Sequence, residues 1–149
     1  MSETFQTTRR VEFRDTDAAG IVHFSAFLFY MEQVEHEFLR SLGLSVHHQI
    51  EDASMSWPRV SVHCDYRGPA KFEEVLDVTL KVERLGSRSV TYRYKFTREE
   101  APIAEGTMTA VCCKIRPGLP PKSMEIPGWF QQKLLPFVVS PRPEDKPAP

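Results

Sequence analysis

The sequence predicts an α+β domain of two layers, an antiparallel sheet packed on one long helix. Three patterns predict it. Apolar residues recur at steps of three to four between Phe27 and Leu42, which places them on one helical face. From Arg59 onward apolar and polar residues alternate in successive stretches, as half-buried strands require. Short turn signals, Leu85 to Arg88 with its Gly86 and Glu99 to Pro102, separate neighbouring stretches and suit hairpins.

The elements follow in order. Phe5 to Phe13 reads as a first strand through Val11 and Phe13, and the acids and turn formers of Arg14 to Gly20 end it. The helix comes next, with Ser25 as its N-cap, Gly43 at C′ and Arg40 in the last turn, where a cation suits the dipole. Phe27, Met31, Val34, Phe38 and Leu42 form its buried face, and Glu32, Gln33, His36 and Glu37 fall on its flanks and far side. Val60, Val62, Cys64 and Tyr66 alternate with polar neighbours, as do Leu76 to Val82 and Val90 to Phe96, and Gly68-Pro69 divides the first run from the second. The last strand, Ile103 to Ile115, carries Ala104, Gly106, Met108, Ala110 and Cys112 on one face. Such small side chains admit a helix at close range, or mark a cramped middle strand. Ile126 to Leu135 reads as a short helix with Pro127 at its first position. Residues 1–135 thus make one domain, and 136–149, with five prolines in fourteen residues, read as a disordered tail.

The 149 residues carry a formal net charge of −1, which gives no overall pull toward nucleic acid or an anionic membrane. No run of 18 apolar residues appears, and the polar first ten residues lack the core of a signal peptide. Cys64, Cys112 and Cys113 are odd in number, with two adjacent and no Cys-x-x-Cys pair, which suits reduced thiols in the cytoplasm and no metal site. One helix cannot cover five strands, so a second copy is expected on the sheet's far face or edge, in a homodimer or homotetramer.

The chemistry concentrates in Asp15-Thr16-Asp17-Ala18-Ala19-Gly20-Ile21-Val22-His23-Phe24. Two carboxylates stand in a turn just before the helix, whose first N–H groups favour developing negative charge. A carboxylate there can attack or activate water while the helix start holds an oxyanion. The string Asp-x-Asp-x-x-Gly-x-Val between first strand and long helix resembles the signature of the 4-hydroxybenzoyl-CoA thioesterase family, and the resemblance extends more loosely to about Pro117. It implies the hot-dog fold, a five-stranded antiparallel sheet wrapped around one long helix, and hydrolysis of an acyl- or aroyl-CoA thioester without a cofactor.

Residue by residue, the resemblance implies Asp17 as catalytic carboxylate, nucleophile or general base, with the Phe24 backbone N–H polarising the thioester carbonyl. Gly20 matches the turn glycine, and Asp15 matches a first acid of structural role. His23 takes the place of a family aromatic, while Phe24 takes that of a histidine, so a substrate contact for His23 departs from the pattern. Phe27 stands where relatives often have tyrosine. Ser87 and Arg88 match a segment that meets the CoA phosphates, with Lys114 and Arg116 as further basic candidates, and Trp57 and Arg59 match residues lining the acyl pocket from a neighbouring subunit. Two other readings stand beside hydrolysis: a hot-dog hydratase or dehydratase acting on enoyl thioesters, and an acyl-binding module without turnover.

Overall fold

The computed structural model describes residues 2–139. In chain order it contains β1 (Phe5–Arg10), α1 (Ala26–Ser41), β2 (His48–Ile50), β3 (Ala53–Ser56), β4 (Arg59–Tyr66), β5 (Val75–Leu85), β6 (Ser89–Arg98), β7 (Ala101–Val111), β8 (Cys113–Ile115), β9 (Lys122–Ser123) and α2 (Gly128–Leu134). Five strands pair in the order β1-β5-β6-β7-β4, all antiparallel, and curl around α1. The sheet-on-helix architecture therefore follows the sequence patterns. The expected short C-terminal helix is α2, and one feature goes beyond the patterns: a second sheet, β2-β3-β8-β9. The strands of that second sheet are two to four residues long, too short for alternation to register. No helix among the described residues is long and apolar enough to cross a membrane.

Helix α1 buries Phe27, Met31, Val34 and Phe38, as its periodicity demands. Its C-terminus is a Schellman closure: Gly43 N–H reaches Arg40 O at 3.0 Å and Leu44 N–H reaches Leu39 O at 2.8 Å, with Gly43 at φ +75°. Its N-terminus corrects the sequence reading. Ser25 occupies the N-cap position, but its side chain caps nothing and bonds His23 Nδ1 at 2.7 Å instead. The helix also buries Glu35, only 1% exposed, which accepts two 2.5 Å hydrogen bonds from Arg59 on β4. Desolvation raises the Glu35 carboxyl above its ordinary range, and the guanidinium opposes that rise.

In the central strands the alternation holds: Leu76, Val78, Leu80 and Val82 of β5 and Val90, Tyr92, Tyr94 and Phe96 of β6 all point into the core. The small-residue face of β7 is a helix contact. A side chain at Gly106 would place its Cβ 2.3 Å from the Met31 Cε of α1 and 2.8 Å from the His63 carbonyl oxygen of β4; the methionine tip can shift, the strand backbone cannot easily, so glycine suits the position on both counts. Strand β4 behaves differently. It is the sheet's edge, its register shifts between Arg59 and Ser61, and Val60, Val62 and Tyr66 stay 61%, 44% and 47% exposed. The β6–β7 hairpin turns on Glu99 and Glu100, both at positive φ, in the two-residue geometry that glycine and asparagine usually supply.

Three boundaries differ from the sequence reading. The first strand stops at Arg10, and Phe13–Asp15 form a 3₁₀ turn. The last strand divides at Cys112, where the chain leaves one sheet for the other. In α2, Pro127 is the N-cap and Gly128 the first helical residue. The assigned tail is also partly packed. Phe137 meets Phe38 with ring centroids 4.8 Å apart, and Val139 N–H reaches Val82 O at 2.9 Å, along the β5 edge beyond its pairing with β1. Residues 140–149 of that tail lie outside the described residues.

Candidate active site

The loop between β1 and α1 is built by two acids with different tasks. Asp15 closes a capping box with Glu12, accepting from Glu12 N–H at 2.9 Å, and the same oxygen accepts from the Tyr30 hydroxyl at 2.8 Å. It thereby ties the loop to the helix. Asp17 opens a tight turn: its N–H donates to Ile21 O at 2.8 Å, and Gly20, at φ +81°, returns an N–H to Asp17 O at 3.0 Å. Its Oδ1 accepts from Ala19 N–H at 2.8 Å and Ile21 N–H at 3.4 Å. Its Oδ2 accepts no hydrogen bond among the described residues.

That carboxylate borders a cleft of about 440 Å³ shared by Val22, Phe24, Phe27, Tyr66, Arg67 and Ala70. The Phe24 N–H makes no intramolecular hydrogen bond among the described residues, whereas the Phe24 carbonyl accepts from the Tyr66 hydroxyl at 2.8 Å. Tyr66 thus fixes the Phe24 residue to β4. Its hydroxyl is pushed up to about 12 by burial, with Cys64 adding to the effect, so it remains a donor. Asp17, with one carboxylate oxygen without a partner, and Phe24, with its amide without a partner, therefore line one largely apolar cleft. Such a pair can act on a carbonyl: one as base or nucleophile, the other as donor to the oxygen.

The structure gathers some expected residues and separates others. Asp17 and Phe24 line the cleft together. Gly20 shapes the turn and is not among the residues that line the cleft. His23 is held by Ser25, and its ring lies 4.4 Å from that of Phe24, beside the cleft rather than in its wall. Trp57 and Arg59 sit at the opposite end of β4, away from this chain's Asp17. Trp57 is buried on Phe130 at a centroid distance of 5.0 Å, and Arg59 is engaged by Glu35. Ser87 and Arg88 are exposed in the β5–β6 turn, also remote from Asp17. Sequence reasoning missed Tyr66, Arg67 and Ala70 as cleft residues. The available signal was the Gly68-Pro69 break, which bends the chain after Tyr66 back toward the loop, where Val22 N–H meets Ala70 O at 2.8 Å. Among the described residues no three His, Cys, Asp or Glu side chains cluster as metal ligands would.

Residues 11–134 match the model of the thioesterase-like superfamily. A 1,4-dihydroxy-2-naphthoyl-CoA hydrolase of Synechococcus sp. (strain CC9605) is 33% identical over 111 residues, covering 71% of this chain and 74% of that protein. The crystal structure of a hypothetical protein from Thermus thermophilus superposes with a TM-score of 0.78 at 30% identity, over 89% of this chain and 98% of that one. That of a gentisyl-coenzyme A thioesterase gives 0.75 at 25% identity, over 87% and 99%.

Proposed function

The chain belongs to the thioesterase-like superfamily, and on that premise we propose that it hydrolyses an acyl- or aroyl-CoA thioester to the free acid and CoA. The observation that carries the reading is the pairing of the unpartnered Asp17 Oδ2 with the unpartnered Phe24 N–H at one cleft. The thioester carbonyl oxygen takes the amide proton as a hydrogen bond and gathers charge there. Asp17 then acts in one of two ways. It attacks the carbonyl carbon, expels the CoA sulfur, which leaves as the thiol, and releases the acid when water cleaves the acyl–aspartyl anhydride. Alternatively it takes a proton from water as that water attacks the carbonyl carbon, and the C–S bond then breaks as the proton passes to the departing CoA sulfur, which leaves as the thiol. A thioester is less resonance-stabilised than an amide, so this machinery is adequate to the task. The 1,4-dihydroxy-2-naphthoyl-CoA and gentisyl-CoA enzymes among its relatives support an aromatic acyl group.

The same reading includes a second copy. An eight-residue edge strand that exposes Val60, Val62 and Tyr66 is a template for pairing, and a twofold through β4 continues the sheet. Pairing of this kind brings Trp57 and Arg59 of one copy toward the Asp17 cleft of the other. Arg88 and Ser87 are assigned in this reading to the CoA phosphates, supported by their exposure in the turn. The three free thiols suit a cytoplasmic setting.

Thiol release from a panel of acyl- and aroyl-CoAs tests the reading, run in parallel on the wild type and on Asp17→Asn. At least a hundredfold loss is expected in the variant, about 3 kcal/mol of barrier. A wild type that changes only enoyl absorbance is a hydratase, and one that binds without releasing thiol is a carrier. Either outcome ends the proposal.

A further inference from the structure

The loop that carries Asp17 is a small hairpin whose two arms are held to the body by different means. Asp15 O accepts from His23 N–H at 2.7 Å, Thr16 pairs with Val22, and Asp17 N–H reaches Ile21 O at 2.8 Å. Arms 15–17 and 21–23 are thus laced antiparallel, and Phe24 follows the second arm directly. That second arm is anchored on the segment after β4, by Val22 N–H to Ala70 O at 2.8 Å and by the pairing of Ile21 with Lys71. The first arm, which carries Asp17, has no such backbone anchor. Its N–H groups reach Glu12 O, Phe13 O and Ile21 O, all within the loop itself. One side chain from the helix supplies what is missing. Tyr30, a turn into α1 and 3% exposed, donates its hydroxyl to Asp15 Oδ2 at 2.8 Å. Among the described residues this is the one hydrogen bond between the first arm and α1. Burial, and then the Asp15 carboxylate, push that hydroxyl well above the ordinary tyrosine range, so it stays a donor. The ring lies edge-on to Phe27 at 5.8 Å and tilted on Phe96 at 6.2 Å, contacts that a phenylalanine would make equally well. What the hydroxyl adds is the bond to the loop.

We infer that Tyr30 is a positioning residue for Asp17: acting through Asp15, it fixes the first arm against the helix and so sets where the carboxylate stands relative to the Phe24 N–H. The inference rests on the thioesterase reading above. The connection is a closed ring. It runs from the Tyr30 hydroxyl through the Asp15 side chain to the Asp15 carbonyl, across to His23 N–H, and through Phe24 into α1 and back to Tyr30. Without the hydroxyl Asp15 keeps its bond from Glu12 N–H, but that bond lies inside the loop and ties it to nothing else. The other member of the pair has its own tyrosine, since Tyr66 holds Phe24 O from β4 at 2.8 Å. Two tyrosines on two elements therefore locate the two groups that a thioester carbonyl must meet at once. A misplacement of about 1 Å can cost about a hundredfold in rate. The hairpin's own ladder survives removal of the hydroxyl, so the expected loss is smaller, about tenfold.

The first test needs no turnover. Amide hydrogen exchange followed by NMR should be at least about fivefold faster at His23 N–H in Tyr30→Phe than in the wild type, while Val22 N–H, bonded to Ala70 O, stays within about twofold. Equal protection of His23 in the two proteins overturns the inference. The second test reads kcat against KM with the best acyl-CoA. Tyr30→Phe should lower kcat about tenfold, with KM within about twofold and the melting temperature within about 4 °C of wild type. An unchanged kcat, or a loss confined to KM, overturns it. Asp15 variants carry the same test from the other end of the bond and leave the buried ring in place. Asp15→Ala should show at least the same loss, and Asp15→Asn, which keeps an oxygen for the hydroxyl, should recover most of it. Adding Tyr30→Phe to Asp15→Ala should cost less than about twofold more, because both cut one connection. Losses that multiply, or equal activity of the alanine and asparagine variants, overturn the inference. A wild type that releases no thiol from any acyl-CoA ends the hydrolase reading and with it the catalytic half of this one, and the exchange rates tell the two failures apart.

Discussion

At the Tyr66 end of β4, Asp17 keeps one carboxylate oxygen unpartnered over a cleft, whereas at the Arg59 end Glu35 gives both oxygens to one guanidinium. The same functional group serves opposite ends because of where the chain puts it. Glu35 stands in mid-helix against the sheet, 1% exposed, where an unpaired charge would be costly, so Arg59 is a condition of folding. Asp17 hangs on a turn that its own backbone closes, and two amides of that turn hold one oxygen in place. One carboxylate is absorbed by the architecture. The other is presented.

The contrast is sharpest when each acid is removed in turn. Asp17→Asn should lower thiol release at least a hundredfold and leave the unfolding midpoint within about 2 °C, since the amide keeps the Oδ1 contacts. Glu35→Ala should do the reverse. It strands Arg59, and because that side chain is one-quarter exposed the loss of stability is set at the low end for a broken buried pair, about 3 kcal/mol, read by chemical denaturation. Replacing both partners in Glu35→Met/Arg59→Met should recover most of that loss. A Glu35→Ala protein of wild-type stability would break the comparison.

A smaller effect probes how β4 positions the cleft. Tyr66→Phe removes only the hydroxyl that holds Phe24 O, so kcat should fall about three- to tenfold with stability changed by about 1 kcal/mol or less. A fall in stability without a fall in kcat would make Tyr66 a packing residue. The smallest effect concerns a third acid, Glu37, which joins α1 to β1. Burial tends to raise its carboxyl, but hydrogen bonds from Thr7 at 2.6 Å and Arg9 at 2.8 Å outweigh it and hold the group below its ordinary 4.5. A depressed carboxyl contributes stability in full above 4.5 and loses it as pH falls through the lower folded value. Thermal melts taken from about pH 6 down to about pH 3 should therefore fall less steeply for Glu37→Gln than for the wild type. Parallel curves would show that Glu37 carries no such linkage.

Much of the fold was legible because it is periodic. Phe27, Met31, Val34 and Phe38 recur with the helical turn, and Leu76 to Val82 alternate with the pleat, so their burial follows from spacing. Gly43 announced the helix end because a left-handed C′ residue favours glycine. Glu35 was illegible: its position on the helix marks it only as polar, and the partner that lets it be buried lies 24 residues away. Spacing likewise failed on the second sheet, whose strands are too brief to show a period. Of the cleft, Asp17 and Phe24 were readable from one contiguous motif, while Tyr66, Arg67 and Ala70 reach it only through tertiary folding.

The last strap along β5 has a consequence for the order in which this molecule is completed. Phe130, Leu134 and Phe137 fill the core, and Val138 and Val139 occupy the β5 edge that β1 leaves open beyond Leu80. All of them follow every strand in the chain order. Without residues 130–139 the sheet has all its strands but a bare flank and an unfilled hollow. Final closure therefore depends on the last segment of the described chain, and a chain cut at Leu135 would keep an open, sticky β5 edge.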